Sequence, residues 1–169
     1  MKDLREVPVY AGSREEFLAR YGALFEYSPW IVERAWLARP FVDAAELHSA
    51  FLDVVVAASD DEKLALVRAH PELADKVAQA KGLTAASAAE QASAGLTALS
   101  EVEYQLFHDL NRSYRARFGF PFVICVRLHT VGSILAAMQS RLGSDQETEL
   151  REALTQIGLI VGFRLGLGG

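Results

Sequence analysis

Several features that assign proteins to broad classes are scarce or absent in this 169-residue sequence. A single cysteine, Cys125, excludes an internal disulfide and a metal site built from cysteines. No apolar run reaches the ~18 residues that a membrane-spanning helix needs, and the first residues lack the apolar stretch of a secretory signal. Acidic residues (22) outnumber basic ones (17), which gives no basic surface for nucleic acid. We therefore expect a cytoplasmic protein without membrane or nucleic-acid partners.

What is present is the composition of a globular protein, with 51% hydrophobic and 23% charged residues. A chain of this length buries enough surface to hold a core without disulfides or metals. No linker, repeat of fixed period or low-complexity tract interrupts it. We expect one domain that spans residues 1–169.

Helix signals recur along the whole chain. A Ser or Asp is repeatedly followed three residues later by Glu, which is the spacing of a capping box, for example in the pairs Ser13/Glu16, Asp43/Glu46, Ser87/Glu90, Ser100/Glu103 and Ser144/Glu147. Apolar residues then recur at intervals of three and four, and alternating strand patterns are absent. The sequence predicts a compact all-α bundle of about nine helices, near 14–25, 30–38, 43–58, 60–69, 71–81, 87–98, 100–117, 130–142 and 145–165.

His70 occupies an unusual place among the four histidines. A residue before proline is pushed away from helical geometry, so one helix is predicted to end at His70 and the next to begin at Pro71. The positive end of that next helix would favour a neutral imidazole at pH 7. The alternative is a histidine that only caps a helix or packs in a seam.

The stretch Ser87-Ala88-Ala89-Glu90-Gln91 is a second candidate. Structure alone explains it as a capping box. In the functional interpretation, Glu90 and Gln91 point from the first turn of a helix into a cleft. One would then act in proton transfer, while the other would offer amide donor and acceptor groups.

The run from Phe118 to Val126 is a third candidate, because its aromatic residues, Gly119 and Pro121 do not continue the preceding helix. An extended apolar segment in an all-α protein must still satisfy its backbone amides. It is either a buried linker or a segment whose amides face a ligand. Cys125, within it, is a poor nucleophile, since apolar surroundings raise the pKa of a thiol.

Arg164 lies at the end of a very apolar helix, where it either reaches out to solvent or clamps a carboxylate or carbonyl. His48, His108 and His129 carry no functional signal. No metal site is predicted, since there is no His-x-x-x-His pair and His70 with nearby acids lacks a recognised ligand spacing.

Together these segments resemble the ordered motifs of one family, the 2-oxo-4-hydroxy-4-carboxy-5-ureidoimidazoline (OHCU) decarboxylases. The matching series covers roughly residues 15 to 165 and comprises Phe25 to Trp30, Arg39 to Phe41, His70 to Ala74, Ser87 to Gln91, Ala94 to Leu96, Leu110-Asn111 with Tyr114, Phe118 to Phe122, Ile134-Leu135, Arg141-Leu142 and Arg164.

This resemblance implies an all-α enzyme, commonly a homodimer, that works without a metal or an organic cofactor. It implies a small-molecule substrate, OHCU, which is the unstable product of 5-hydroxyisourate hydrolysis. The enzyme of this family removes the carboxylate to give (S)-allantoin in urate degradation.

The resemblance also assigns roles by motif. His70 and Glu90 match the catalytic residues of the family. Residues that match substrate contacts or line the site are Pro71, Ser87, Ala88, Ala89, Gln91, Phe122, Val123, Ile124, Cys125, Val126 and Arg164. Two alternatives stay open: a hydrolase or isomerase of a related ureide, and a catalytically silent helical interaction module in which His70 and Glu90 only cap helices.

Overall fold

The computed structural model describes residues 12–76 and 82–168. Within those residues the chain forms eight α-helices and two short 3-10 turns, with no β-strand. The α-helices are α1 (Arg14–Tyr21), α2 (Trp30–Ala35), α3 (Ala44–Ala57), α4 (Asp60–Arg68), α5 (Ala85–Ser93), α6 (Glu101–Phe118), α7 (Val131–Arg141) and α8 (Gln146–Arg164). The 3-10 turns are Trp36–Ala38 and Val126–Leu128. The all-α prediction is confirmed, with eight helices in the described residues rather than about nine.

The difference in number comes from the predicted helix at 71–81. Residues 71–75 form a turn instead, and Ala74 has the left-handed φ of 57°. Helical geometry appears only at Lys76, and residues 77–81 lie outside the described part of the chain. The prediction that a helix begins at Pro71 is therefore wrong.

Side-chain caps start most of the helices, and two of these caps differ from the prediction. Reciprocal capping boxes at Ser13/Glu16 and Ser100/Glu103 are confirmed, and Asp43 Oδ1 accepts from the amide of Glu46. At α8 the cap is Asp145, whose Oδ1 accepts from the amide of Thr148 at 2.8 Å, and not Ser144. At α5 the cap is Thr84, not Ser87. In both cases the better acceptor lies one or three residues from the predicted one.

The described residues fall into two compact units. One comprises residues 12–69 and 158–168, and its core is aromatic: Phe17 lies edge-on to Tyr21 with ring centroids 5.0 Å apart, and Phe25 lies edge-on to Phe51 at 5.7 Å. In the same unit α2 packs on α3.

The other unit, called here the central unit, comprises residues 70–76 and 82–157. Its core gathers around Tyr114 of α6, whose ring centroid is 4.6 Å from that of Phe118 and 5.3 Å from that of Phe122. Gly119 ends α6 with a φ of 75°, and its amide donates to Arg115 O at 2.8 Å. A left-handed residue of this kind stops the helix and redirects the chain into the extended segment that follows.

Candidate active site

His70 lies at the start of the central unit, two residues after α4, and is 7% exposed. Residues 71–75 are not helical, so the helix N-terminus predicted at Pro71 does not occur there. The predicted effect of a helix dipole at Pro71 on the imidazole therefore has no basis in the structure. Leu73 and Ala74 form a turn shortly after His70.

Three side chains from α5 and α6 hold this turn. Gln91 Oε1 accepts from the backbone N–H of Ala74 at 3.2 Å, and Asn111 Nδ2 donates to Leu73 O at 2.8 Å. Arg115 Nε donates to Glu72 Oε1 at 2.6 Å in a partly exposed ion pair. These contacts satisfy a backbone donor and a backbone acceptor that a buried turn would otherwise leave unpaired. The turn after His70 is thus fixed relative to both helices.

Helix α5 presents the second motif on one face. Thr84 Oγ1 accepts from the amide of Ser87 at 3.2 Å, so Ser87 belongs to the first turn of the helix and Glu90 to the second. The predicted Ser87/Glu90 capping box is therefore wrong. Ser87, Glu90 and Gln91 are buried, as expected for positions three and four apart on one helical face.

Ala88 and Ala89 lie on the other side of α5, where both are exposed. Glu90 is 7% exposed and follows them in the chain. The two alanines thus face away from the buried Glu90. Their predicted role in lining the site stays a prediction.

The hydrogen bond from Ala74 fixes the orientation of the Gln91 amide. A backbone N–H only donates, so the Gln91 atom that faces it must be the oxygen. The NH2 group then points elsewhere and is the part of the side chain left to donate. The Gln91 oxygen therefore holds the turn, and the predicted use of the side chain as a donor and an acceptor for a ligand stays a prediction.

The third motif is an extended segment, residues 121–125, that enters the Val126–Leu128 turn. Phe122, Val123, Ile124, Cys125 and Val126 are all buried. Side chains bind its backbone: Arg141 Nη1 donates to Val123 O at 2.8 Å, and Gln156 Oε1 accepts from the amide of Cys125 at 2.9 Å. Helices α7 and α8 thus provide the side chains that satisfy these two backbone groups.

Glu90 and the extended segment belong to the same site. Helix α5 packs against the Val126–Leu128 turn. Burial raises the pKa of the Cys125 thiol, and the negative charge of Glu90 raises it further. The predicted rise of this pKa is confirmed, and a raised pKa makes a thiol a weaker nucleophile.

Arg164 lies in the first unit, at the end of α8. Its side chain is 7% exposed, and Nη2 donates to Glu26 Oε1 at 2.9 Å while Nη1 donates to Leu24 O at 2.9 Å. The interpretation that Arg164 reaches out to solvent is wrong. Its predicted role as a substrate clamp stays a prediction.

Sequence reasoning did not single out Asn111, Arg141 or Gln156 as functional residues, although all three hold segments of the candidate site. The signal for Gln156 is a glutamine beside buried Ala153 and Ile157 on an apolar helix. A long polar side chain on such a face must find a hydrogen-bond partner.

Among residues 12–76 and 82–168, no group of three His, Cys, Asp or Glu side chains could hold a metal ion. A search of the same residues finds no helix long and apolar enough to cross a membrane.

Solved structures with a similar fold are named for the same chemistry. The structure of an (S)-allantoin synthase aligns with a TM-score of 0.73 and 28% identity, covering 92% of this chain and 50% of the other. The structure of an OHCU decarboxylase crystallised in the presence of (S)-allantoin aligns with a TM-score of 0.68 over 87% of this chain and 94% of the other. At 18% identity the second likeness shows the fold alone.

Curated relatives are more similar in sequence. The 2-oxo-4-hydroxy-4-carboxy-5-ureidoimidazoline decarboxylase of Haloferax volcanii is 43% identical over 151 residues, which is 89% of this chain and 88% of that protein. The enzyme of the same name from Xenopus laevis is 35% identical over 153 residues, or 90% of this chain and 87% of that protein. The family model for OHCU decarboxylase matches residues 11–166, and this chain belongs to that family.

Proposed function

We propose that this protein decarboxylates OHCU to (S)-allantoin in urate degradation. The observation that carries the proposal is the Gln91–Ala74 hydrogen bond, which joins the loop after His70 to the buried face of α5 that carries Glu90. The contact of α5 with the Val126–Leu128 turn, which follows the third motif, also supports the proposal. Membership of the family supplies the substrate class.

The reaction needs no external electron acceptor, because the substrate carries its own. The bond between the ring carbon and CO2 breaks, and its electron pair moves toward the adjacent C=N bond. The nitrogen of that C=N bond and the ureido-bearing carbon each gain a proton, and the hydroxyl on the carbon that lost CO2 loses its proton as it becomes a carbonyl. The net change is consumption of one proton and release of CO2. The protein must therefore orient the breaking bond and deliver a proton to one face.

In this proposal His70 and Glu90 handle the protons. Placed acids and bases typically contribute ~10²–10⁴-fold to such steps. Ser87 and the NH2 group of Gln91 orient the polar groups of the substrate. The segment from Phe122 to Val126, with Pro71, shapes the apolar wall, and the exclusion of water there favours the spreading of the carboxylate charge as the C–CO2 bond breaks.

The proposal also assigns Arg164 to the substrate, as a planar donor group for a carboxylate or a ureide. Ala88 and Ala89 keep the lining role that the family motif gives them. We further propose a cytoplasmic homodimer, in keeping with the family resemblance. Light scattering coupled to size-exclusion chromatography tests the dimer, and a single species of monomer mass contradicts it.

Product analysis tests the reaction type. OHCU is generated fresh with ¹³C in its carboxyl group and followed by ¹³C NMR with and without the protein. We expect faster loss of the carboxyl signal as CO2 and bicarbonate, with allantoin as the organic product. A hydrolase or isomerase keeps the labelled carbon in the organic product, and a silent module leaves the spontaneous rate unchanged. Either of those results contradicts the proposal.

A further inference from the structure

Residues 121–125 have no regular secondary structure, the last of them, Cys125, has a β-region conformation, and the described residues contain no strand that could pair with the segment. Two side chains take the place of a neighbouring strand. Arg141 of α7 binds Val123 O, and Gln156 of α8 binds the Cys125 amide. We call these two residues the backbone clamp.

Arg141 is held firmly enough to act as one half of this clamp. Its Nε donates to Glu149 Oε1 at 2.6 Å, and the same oxygen accepts from Tyr114 Oη at 2.5 Å. Glu149 is 1% exposed, so the pair lies in a poorly solvated environment where charged hydrogen bonds are strong. The guanidinium carbon also lies 4.3 Å from the ring centroid of Phe122. The Arg141 side chain thus contacts both the backbone of the segment, at Val123, and one of its side chains, Phe122.

Gln156 is oriented by its own partners. Its Nε2 donates to Glu152 Oε1 at 2.7 Å, which leaves Oε1 to accept from the Cys125 amide at 2.9 Å. A carboxylate can only accept and a backbone amide can only donate, so this pair of partners permits one orientation of the side chain.

The clamp leaves one residue between its two bonds. It binds the carbonyl of Val123 and the amide of Cys125, and Ile124 lies between them. No hydrogen bond to the Ile124 amide occurs within the described residues.

We propose that Arg141 and Gln156 are positioning residues for the decarboxylation, which fix the backbone of the Phe122–Val126 segment so that the Ile124 amide between the two clamped groups meets the substrate. This inference rests on the proposed function. It makes the network of Tyr114, Glu149 and Arg141 part of the catalytic apparatus, although none of the three touches the reacting atoms.

The test removes one clamp bond and reads both catalysis and the position of the segment. In Gln156→Met the side chain keeps its length but loses the acceptor for Cys125. Gln105→Met is the matched control, because Gln105 also binds an acid four residues away, Asp109, on an exposed face of α6. The double variant Glu152→Gln/Gln156→Glu exchanges the two partners, which keeps net charge, their mutual hydrogen bond and an acceptor for the amide.

Cys125 reports the position of the segment, since it is the single cysteine of the chain and is buried within the clamp. Its reaction rate with a neutral-disulfide thiol reagent is measured in native buffer, beside kcat and KM for freshly generated OHCU and the melting temperature. We expect Gln156→Met to lower kcat/KM by about tenfold, mainly through KM, and to raise the thiol reaction rate by a similar factor, the equivalent of one net hydrogen bond. Gln105→Met leaves both at wild-type values, and the exchanged double variant restores both.

Any one of three results overturns the inference. The first is a wild-type kcat/KM in Gln156→Met, and the second is a loss of its activity without any change in Cys125 reactivity. The third is a failure of the exchanged double variant to restore activity and Cys125 reactivity. A wild-type protein without decarboxylase activity instead refutes the proposed function, and is recognised before any variant is compared.

Discussion

The side-chain oxygen of Gln91 accepts a hydrogen bond from the backbone amide of Ala74 at 3.2 Å. This bond links α5, which carries Glu90, to the turn that follows His70. Ala74 has a left-handed φ of 57°, a conformation that costs a residue with a Cβ roughly 1–2 kcal/mol. The bond from Gln91 and the one from Asn111 to Leu73 O offset that cost and fix the turn.

Gln91 therefore has two separable functions, and Gln91→Glu distinguishes them. A carboxylate still accepts from the Ala74 amide, so we expect the variant to fold with a melting temperature near that of the wild type. It lacks the NH2 donor and adds a negative charge beside Glu90, so kcat/KM falls by ~10–10²-fold, as expected for a lost hydrogen bond to a polar substrate group.

Gln91→Met is the companion variant, because it loses the acceptor as well. We expect it to unfold at a lower temperature than Gln91→Glu in a thermal melt followed by far-ultraviolet circular dichroism. If Gln91→Glu has the wild-type kcat/KM, the side chain serves only to hold the turn.

Arg164 combines a buried ion pair with a predicted role in substrate binding. Arg164→Lys keeps the charge but has no planar pair of donors for Glu26 Oε1 and Leu24 O. We expect a loss of about 1–3 kcal/mol in the free energy of unfolding, together with a kcat/KM lower by ~10–10²-fold because a substrate carboxylate or ureide also loses a bidentate partner.

Arg151→Lys is the matched control for Arg164→Lys. Arg151 is exposed and bonds Glu147 one helical turn away at 2.8 Å, so its substitution changes neither stability nor turnover measurably. Turnover is measured at a temperature at which both proteins are folded. If Arg164→Lys loses stability but keeps the wild-type kcat/KM, the role of Arg164 is structural only.

The Cys125 thiol measures the charge of Glu90 without any need for turnover. Burial raises the pKa of this thiol and the Glu90 carboxylate raises it further, so its alkylation rate reaches half-maximum at a pH above that of an ordinary cysteine, about 8.5. Neutralising the carboxylate in Glu90→Gln removes the second cause and shifts the midpoint to lower pH. Glu101→Gln, on α6, leaves it unchanged. An identical midpoint in Glu90→Gln and wild type would show that Glu90 does not face the extended segment.

The sequence was informative where local signals decide the structure. Helix α6 begins with the Ser100/Glu103 box and ends at Gly119, and both signals act within one turn of the helix. The extended apolar segment after Gly119 was likewise predicted, because Pro121 and the aromatic residues around it do not continue the helix.

Predictions from the sequence were wrong where residues distant in the chain determine the local structure. Pro71 is typical of a first helical residue, but the bonds from Gln91 and Asn111 stabilise a turn at that point. An arginine at the end of an apolar helix is typical of one that reaches solvent, but buried Glu26 binds Arg164, 138 residues away in the chain. The residues that bind the turn and the residue that binds Arg164 are distant in the sequence, so local spacing does not identify them. The family, in contrast, could be recognised from its ordered motifs.

The most direct test of the account is the optical activity of the product. Fresh OHCU is followed by circular dichroism without protein, with wild-type protein and with His70→Asn at equal concentration, and the melting temperature of the variant is measured beside it. The account predicts rapid growth of the (S)-allantoin signal with the wild type, and a rate at least ~10²-fold lower with a folded His70→Asn, the low end of general acid–base effects. Racemic product at the spontaneous rate with wild-type protein, or undiminished turnover by His70→Asn, would contradict it.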